Sequence, residues 1–150
     1  MSVDEQILQA YAREVRDELL DNILPFTANH AVDREHGGFY GYVANDGTPD
    51  SKAPKGQVQH TRVLWAFAHA QRRLGDLGYG ALIERARADQ LRRFWDDRYG
   101  GLFWTVIADG TPLLTDKLVD GQAYGVYSFA EDYLATGSIA SLEHAIALFR

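Results

Sequence analysis

Two stretches of this chain repeat each other without a gap: residues 33–49 (DREHGGFYGYVANDGTP) and 96–112 (DDRYGGLFWTVIADGTP). Eight of the 17 aligned positions are identical: Asp33/Asp96, Gly37/Gly100, Gly38/Gly101, Val43/Val106, Asp46/Asp109, Gly47/Gly110, Thr48/Thr111 and Pro49/Pro112. An internal repeat with an offset of 63 residues makes the chain an array of like units rather than one closed fold. A unit of this kind carries an apolar face that it cannot bury alone, so it must stack on its neighbours.

The residues around the repeat give the unit its shape. Residues 4–30 read as a helix, with Leu8, Tyr11, Val15, Leu19 and Ile23 at three- and four-residue spacing and a kink or break near Pro25. Residues 36–49 read as a β-hairpin, built from Phe39, Tyr40, Tyr42 and Val43 around an Asn45-Asp46-Gly47 turn. Helical periodicity resumes at Val58 and lasts to Gly75, and a third helix spans about 79–95. The second unit then replays the first: a hairpin at about 99–112, a helix at about 118–136 capped by Gly137, and a further helix from Ser138. The expected class is all-α, with helix pairs joined by short β-hairpins.

Composition narrows the function. With 15 Lys+Arg against 21 Asp+Glu the net charge is −6, which gives no attraction to nucleic acid or to anionic membranes. The start, Met1-Ser-Val-Asp-Glu-Gln, lacks the basic and apolar regions of a signal peptide, and no run of 18 apolar residues occurs. A cytoplasmic location is the default expectation. The absence of Cys removes disulfides and thiolate metal sites.

The five histidines (His30, His36, His60, His69, His144) form no His-x-x-x-His pair or His-Glu-x-x-His motif, so no metal or other cofactor is expected. No Gly-x-Ser-x-Gly elbow or phosphate-binding glycine loop occurs, and the paired glycines of each hairpin fit turn geometry better than anion binding. Arg62 stands out, because it falls on a helical stripe that otherwise carries Val58, Trp65 and Phe67. A guanidinium there needs a partner. It either pairs with a structural carboxylate or lines a pocket and presents donors to an oxygen-rich ligand; a side chain turned outward into solvent would tell against both. His60 opens the same helix and by itself reads as a cap or surface residue. Asp120, Gln122 and Tyr124 open the matching helix, where Asp120 also suits an N-cap or a first-turn acid. Aromatic residues (Phe39, Tyr40, Trp65, Phe103, Trp104, Tyr124, Tyr127) gather about the hairpins and second helices. Rings beside Arg, Asp and Gln also suit a sugar, whose faces stack while its hydroxyls take hydrogen bonds.

Taken in order, Asp33-Arg-Glu-His-Gly-Gly-Phe-Tyr-Gly, Thr61-Arg-Val-Leu-Trp-Ala-Phe, Tyr99-Gly-Gly-Leu-Phe-Trp, Gln122-Ala-Tyr-Gly-Val-Tyr and Ala135-Thr-Gly resemble the N-acylglucosamine 2-epimerase superfamily. The resemblance runs from about residue 16 to Arg150 and is closest to the cellobiose and mannose epimerase branches. It implies an (α/α)6 barrel around a central sugar pocket. Six units would take roughly 380 residues, so residues 1–150 would be a partial barrel domain: two units and the start of a third. Arg150 falls mid-helix, at the repeat position of Arg87, which reads as the amino-terminal fragment of a longer protein.

The resemblance also implies cofactor-free proton transfer at C2 of an open-chain sugar through an enediolate, by epimerisation or aldose–ketose isomerisation. Arg62 would be catalytic by stabilising the enediolate oxygens, and His60, Asp120 and Tyr124 would bind substrate. The acid/base histidines of such enzymes match nothing here, so the fragment alone is expected to be inactive. Asp120 and His60 stand where cellobiose epimerases carry a tyrosine and an asparagine, which leaves a mono- or disaccharide substrate open. A homodimer of the full-length protein is also open. Two other readings stand beside this one: an (α/α)6 glycoside hydrolase, which needs two flanking carboxylates, and a non-catalytic helical-repeat binding module.

Overall fold

The computed structural model describes residues 3–150; Met1 and Ser2, where the expected domain begins, lie outside the described residues. Six helices and three short strands follow in order. They are α1 (Val3–Glu18), α2 (Leu24–His30), β1 (Lys55–Gly56), α3 (Gln57–Leu74), α4 (Gly80–Asp89), β2 (Thr105–Val106), β3 (Pro112–Leu114), α5 (Val119–Thr136) and α6 (Ile139–Phe149). The single helix expected over 4–30 is interrupted by a π-helical turn at Leu19–Ile23, immediately ahead of Pro25. Proline has no N–H to give and crowds the carbonyl four residues back, so the wider turn relieves it. A second π turn, Gln90–Phe94, ends the helix begun by α4.

α3 and α5 pack side by side, with α4 against α3 and α6 against α5. Between these layers sits one apolar core of Leu24, Phe39, Leu64, Phe67, Ile83, Phe94, Leu102, Val106 and Phe129. The ends of the array are uncovered. On α1, Leu8, Tyr11 and Val15 are each more than 60% exposed, and on α6 Phe149 is 83% exposed. The part of the stripe on α1 thus buries nothing within this chain, and only its continuation at Leu19 packs against the core.

The repeated loops depart from the hairpins expected. In the first, only isolated bridges form, Val32 to Phe39 and Val43 to Pro49. In the second, β2 pairs with β3 across a bulge, and β2 also pairs antiparallel with β1, Lys55 opposite Val106. The short sheet therefore ties the two units together instead of closing each on itself. The repeated aspartates build like turns in both loops. Asp33 Oδ1 accepts the N–H groups of Glu35 and His36 at 3.0 and 2.8 Å, and Asp96 Oδ1 accepts those of Arg98 and Tyr99 at 2.9 and 3.1 Å. Asp46 and Asp109 do the same for Thr48 and Thr111, at 2.9 and 2.8 Å. These Asx turns bend both loops alike, while in the first the Tyr40 N–H goes to the Ala31 carbonyl at 2.8 Å and draws that segment back toward α2. Gly38 holds φ +67°, where a Cβ would also strike the Asp89 carboxylate.

The first aspartate of each repeat is held from behind by a lysine: Lys55 Nζ lies 2.8 Å from Asp33 Oδ2, and Lys117 Nζ 2.6 Å from Asp96 Oδ2. Lys55 also donates to the Gly37 carbonyl at 2.7 Å. Arg93, buried on the second π turn, joins the two loops: it donates to the carbonyls of His36 and Asp109 and pairs with Asp89.

Candidate functional site

α3 and α5 present one continuous polar and aromatic surface where they meet. Arg62, Trp65, His69 and Arg72 fall at three- and four-residue steps on α3, and Tyr124, Tyr127 and Glu131 do so on α5. The Arg62 guanidinium lies over the Tyr124 ring, 5.8 Å from its centroid, a cation–π arrangement. Tyr124 meets Tyr127 edge-on at 6.3 Å. Tyr127 stacks on Trp65 at 4.8 Å, and Trp65 stacks on His69 at 4.5 Å. Glu131 closes the series: it accepts from Arg72 Nε at 2.6 Å and Nη2 at 3.2 Å, and it meets His69 Nδ1 at 3.0 Å.

The charges follow from these contacts. Burial pushes the Glu131 carboxyl upward, but hydrogen bonds from Arg72 and His69 outweigh it and hold Glu131 below the usual glutamate value. Glu131 is therefore an ionised acceptor. The Tyr127 phenol is raised, chiefly by burial, with the Arg62 charge opposing and Glu131 adding to the rise.

The four expected site residues do not all converge. Arg62 and Tyr124 come together, and Asp120 lies one turn before Tyr124 on the same side of α5, exposed, with Oδ1 accepting the Gly121 N–H at 2.8 Å. Asp120 is a first-turn acid and not the N-cap, which is Leu118.

Arg62 corrects its expectation. It is exposed, and among the described residues it has no carboxylate partner, so neither burial nor a structural ion pair holds. At 100° per residue Trp65 and Phe67 cannot share a stripe. Arg62 falls with Trp65 and His69 on the open side of α3, while Phe67 is sealed into the core. The guanidinium borders an open groove of about 520 Å³ against α2, lined by Ile23, Thr27, Val58, Gln59 and Val63. Its exposure tells against both expected settings within this chain: the guanidinium lines an open surface and not a closed cavity.

His60 is neither a cap nor a surface residue. It is 1% exposed on the far side of α3, between Phe39 at 5.9 Å and Phe94 at 5.0 Å. Its Nδ1 bonds the Gly56 carbonyl at 2.9 Å and its Nε2 lies 3.5 Å from Asp89. Burial lowers its pKa, although Asp89 pulls the other way. A neutral, sealed imidazole in this position holds structure; it does not face Arg62.

His69, Glu131 and Arg72 belong to the surface but were not among the residues picked out from the sequence. The signal was there, in the matched 62-65-69-72 and 124-127-131 spacings, but only adjacency of the two helices gives it meaning. The carboxylates that a hydrolase would need find no support at the loops, because Asp46 and Asp109 serve their own turns. Among the described residues no group of three or more His, Asp or Glu could hold a metal ion, and no helix is long and apolar enough to cross a membrane.

Comparison with known proteins places the chain in a family. The family model of N-acylglucosamine 2-epimerase (GlcNAc 2-epimerase) matches residues 12–147. The chain belongs to the N-acylglucosamine 2-epimerase family. Within the family, the chain is 34% identical over 137 residues to the cellobiose 2-epimerase of Bacteroides fragilis, covering 91% of this chain and 35% of that protein. The solved structure of cellobiose 2-epimerase from Spirochaeta thermophila superposes with a TM-score of 0.92 at 34% identity, over 99% of this chain and 37% of that one. A D-mannose isomerase structure, at 20% identity and a TM-score of 0.65, shares the fold. The chain spans about a third of the length of the curated relatives it matches. Its helices are a portion of an (α/α)6 barrel, and the α3/α5 surface is part of that portion.

Proposed function

We propose that these 150 residues supply the arginine-bearing portion of a sugar epimerase or aldose–ketose isomerase that moves a proton at C2 of an open-chain aldose. The observation that carries the reading is the exposed Arg62 guanidinium over the half-buried Tyr124 ring, on a polar, aromatic face of a family member. Removing the C2 proton beside the carbonyl leaves an enediolate with charge on its oxygens. A guanidinium carries its charge at every working pH and offers up to five donors, and the Tyr124 ring lies beneath it. Tyr124 and Asp120 offer hydroxyl and carboxylate partners to sugar hydroxyls. In this reading Arg62 works on the developing charge, and no histidine of this chain is assigned the base at C2. The proton chemistry itself calls for no nucleotide or metal. The 150 residues alone bind an aldose without turning it over, and the saccharide is a mono- or disaccharide.

The test is solvent exchange. The chain is incubated with cellobiose or with mannose in deuterated buffer, alone and fused to the remaining two thirds of the Spirochaeta thermophila enzyme. Expected are no exchange by the chain alone, C2 deuteration and epimer by the fusion, and a loss of about 10²–10³-fold with Arg62→Ala. A folded fusion that releases monosaccharide, or that forms epimer with no deuterium at C2, overturns the reading.

A further inference from the structure

We infer that His69, aimed by Glu131, is a second ligand-binding group of this surface, accepting a hydrogen bond from a sugar hydroxyl through its free Nε2. The inference rests on the carbohydrate reading above and deepens it.

Glu131, held ionised by the bidentate Arg72 contact, can only accept, so the proton between it and His69 sits on Nδ1 of the imidazole. In the neutral imidazole that fixes the tautomer and leaves the lone pair on Nε2. No hydrogen bond to Nε2 occurs among the described residues, and the atom is not among those buried without a partner. The His69 side chain is 36% exposed. The ring cannot swing freely, because Trp65 stacks on it at 13° interplanar angle. A fixed tautomer, a fixed plane and an open acceptor are the attributes of a pre-organised binding group.

Its place on the helix says what it does. His69 lies seven residues after Arg62, roughly 10 Å along the same face. It is too far to touch the oxygens that Arg62 contacts, so it acts on a different hydroxyl of the bound sugar. Trp65 and Tyr127 fill the interval with stacked rings, Trp65 stacking on His69 as well. The contacts reaching His69 from both helices are Glu131 on α5 and Trp65 on α3, with Arg72 gripping the same carboxylate. Glu131 is a positioning residue: it touches the imidazole and not the sugar.

The test uses the chain labelled at histidine with ¹⁵N and titrated with cellobiose and with mannose at neutral pH. Expected are the Nδ1–H tautomer of His69 in the free protein and a sugar-dependent shift at its Nε2. His69→Phe, which keeps the stack on Trp65, weakens binding by about tenfold. Glu131→Gln mixes the two tautomers and weakens binding less. His69→Gln, which restores an acceptor, recovers part of the affinity and covers the case in which the Phe variant misfolds. An unmoved Nε2 signal, or equal affinity in wild type and His69→Phe while Arg62→Ala still lowers it, removes the role of His69 and leaves the carbohydrate reading standing. Failure of the wild-type chain to bind either sugar overturns both.

Discussion

Lys55 Nζ sits 2.8 Å from Asp33 Oδ2 with both side chains at 1% exposure or less. The same pair recurs one repeat later as Lys117 and Asp96, at 2.6 Å but partly open to water, with the lysine side chain 28% exposed. The two pairs share the turn aspartate and differ in burial, in spacing (22 residues against 21) and in the further bond from Lys55 to the Gly37 carbonyl. Burial pushes Lys55 below the ordinary lysine range, with Asp33 opposing. On Asp33 burial pushes upward, but hydrogen bonds from Lys55, His36 and Glu35 prevail and lower it.

That difference sets the first prediction. Removing one partner of a buried pair leaves an uncompensated charge, so Lys55→Met should cost about 3–5 kcal/mol. Lys117→Met should cost about 1 kcal/mol or less, because its pair is solvated. Urea unfolding of both variants measures the contrast. Equal losses would show that the first loop does not seal its ion pair.

His60 predicts an acid-sensitive stability. Its pKa in the fold is depressed by burial, so the unfolded chain binds the proton more readily. Its contribution is complete above the unfolded value near 6.5 and is lost as pH falls below it, at up to about 1.4 kcal/mol per pH unit for one proton. His60→Asn keeps a donor for the Gly56 carbonyl and cannot titrate. Unfolding free energies at pH 7.5 and pH 5 should therefore diverge in wild type by more than in the variant.

Gly38 and Gly100 separate strain from crowding. Both have φ near +67°, but a Cβ at Gly38 would strike the Asp89 carboxylate, whereas one at Gly100 meets nothing within 4 Å. Gly100→Ala should cost about 1–2 kcal/mol from the left-handed backbone alone. Gly38→Ala should exceed it, since Asp89 is also the partner of Arg93 and faces His60. Thermal melts of the two variants give the order.

Arg62→Ala should leave stability within about 0.5 kcal/mol of wild type, because the side chain is exposed and makes no ion pair among the described residues. Its effect belongs to the sugar experiments above. A large drop in melting temperature would make Arg62 a structural residue instead.

Local pattern carried much of this. Apolar spacing marks α3, α5 and α6 to within a residue or two, Gly137 stops α5 at φ +74°, and Ser138 caps α6 by accepting the Ser141 N–H. The repeat places two like turns and their aspartates, because an Asx turn is built from neighbours in the chain. The resemblance stated from the motifs led to the family and to the fold. Hairpin propensity misled, since whether Phe39 and Tyr40 join a ladder depends on where the backbone donors are spent.

What the chain could not declare by itself is which side of a helix meets which neighbour. Periodicity assigns angles about an axis, but burial is decided by the elements packed around that axis. Hence His60, at the mouth of a helix, is sealed between two phenylalanines, and Arg62, two residues on, is open to water above Tyr124. Glu131 reaches His69 and Arg72 across about sixty residues of sequence. Such a contact exists because α3 lies against α5, and no local rule of spacing contains it.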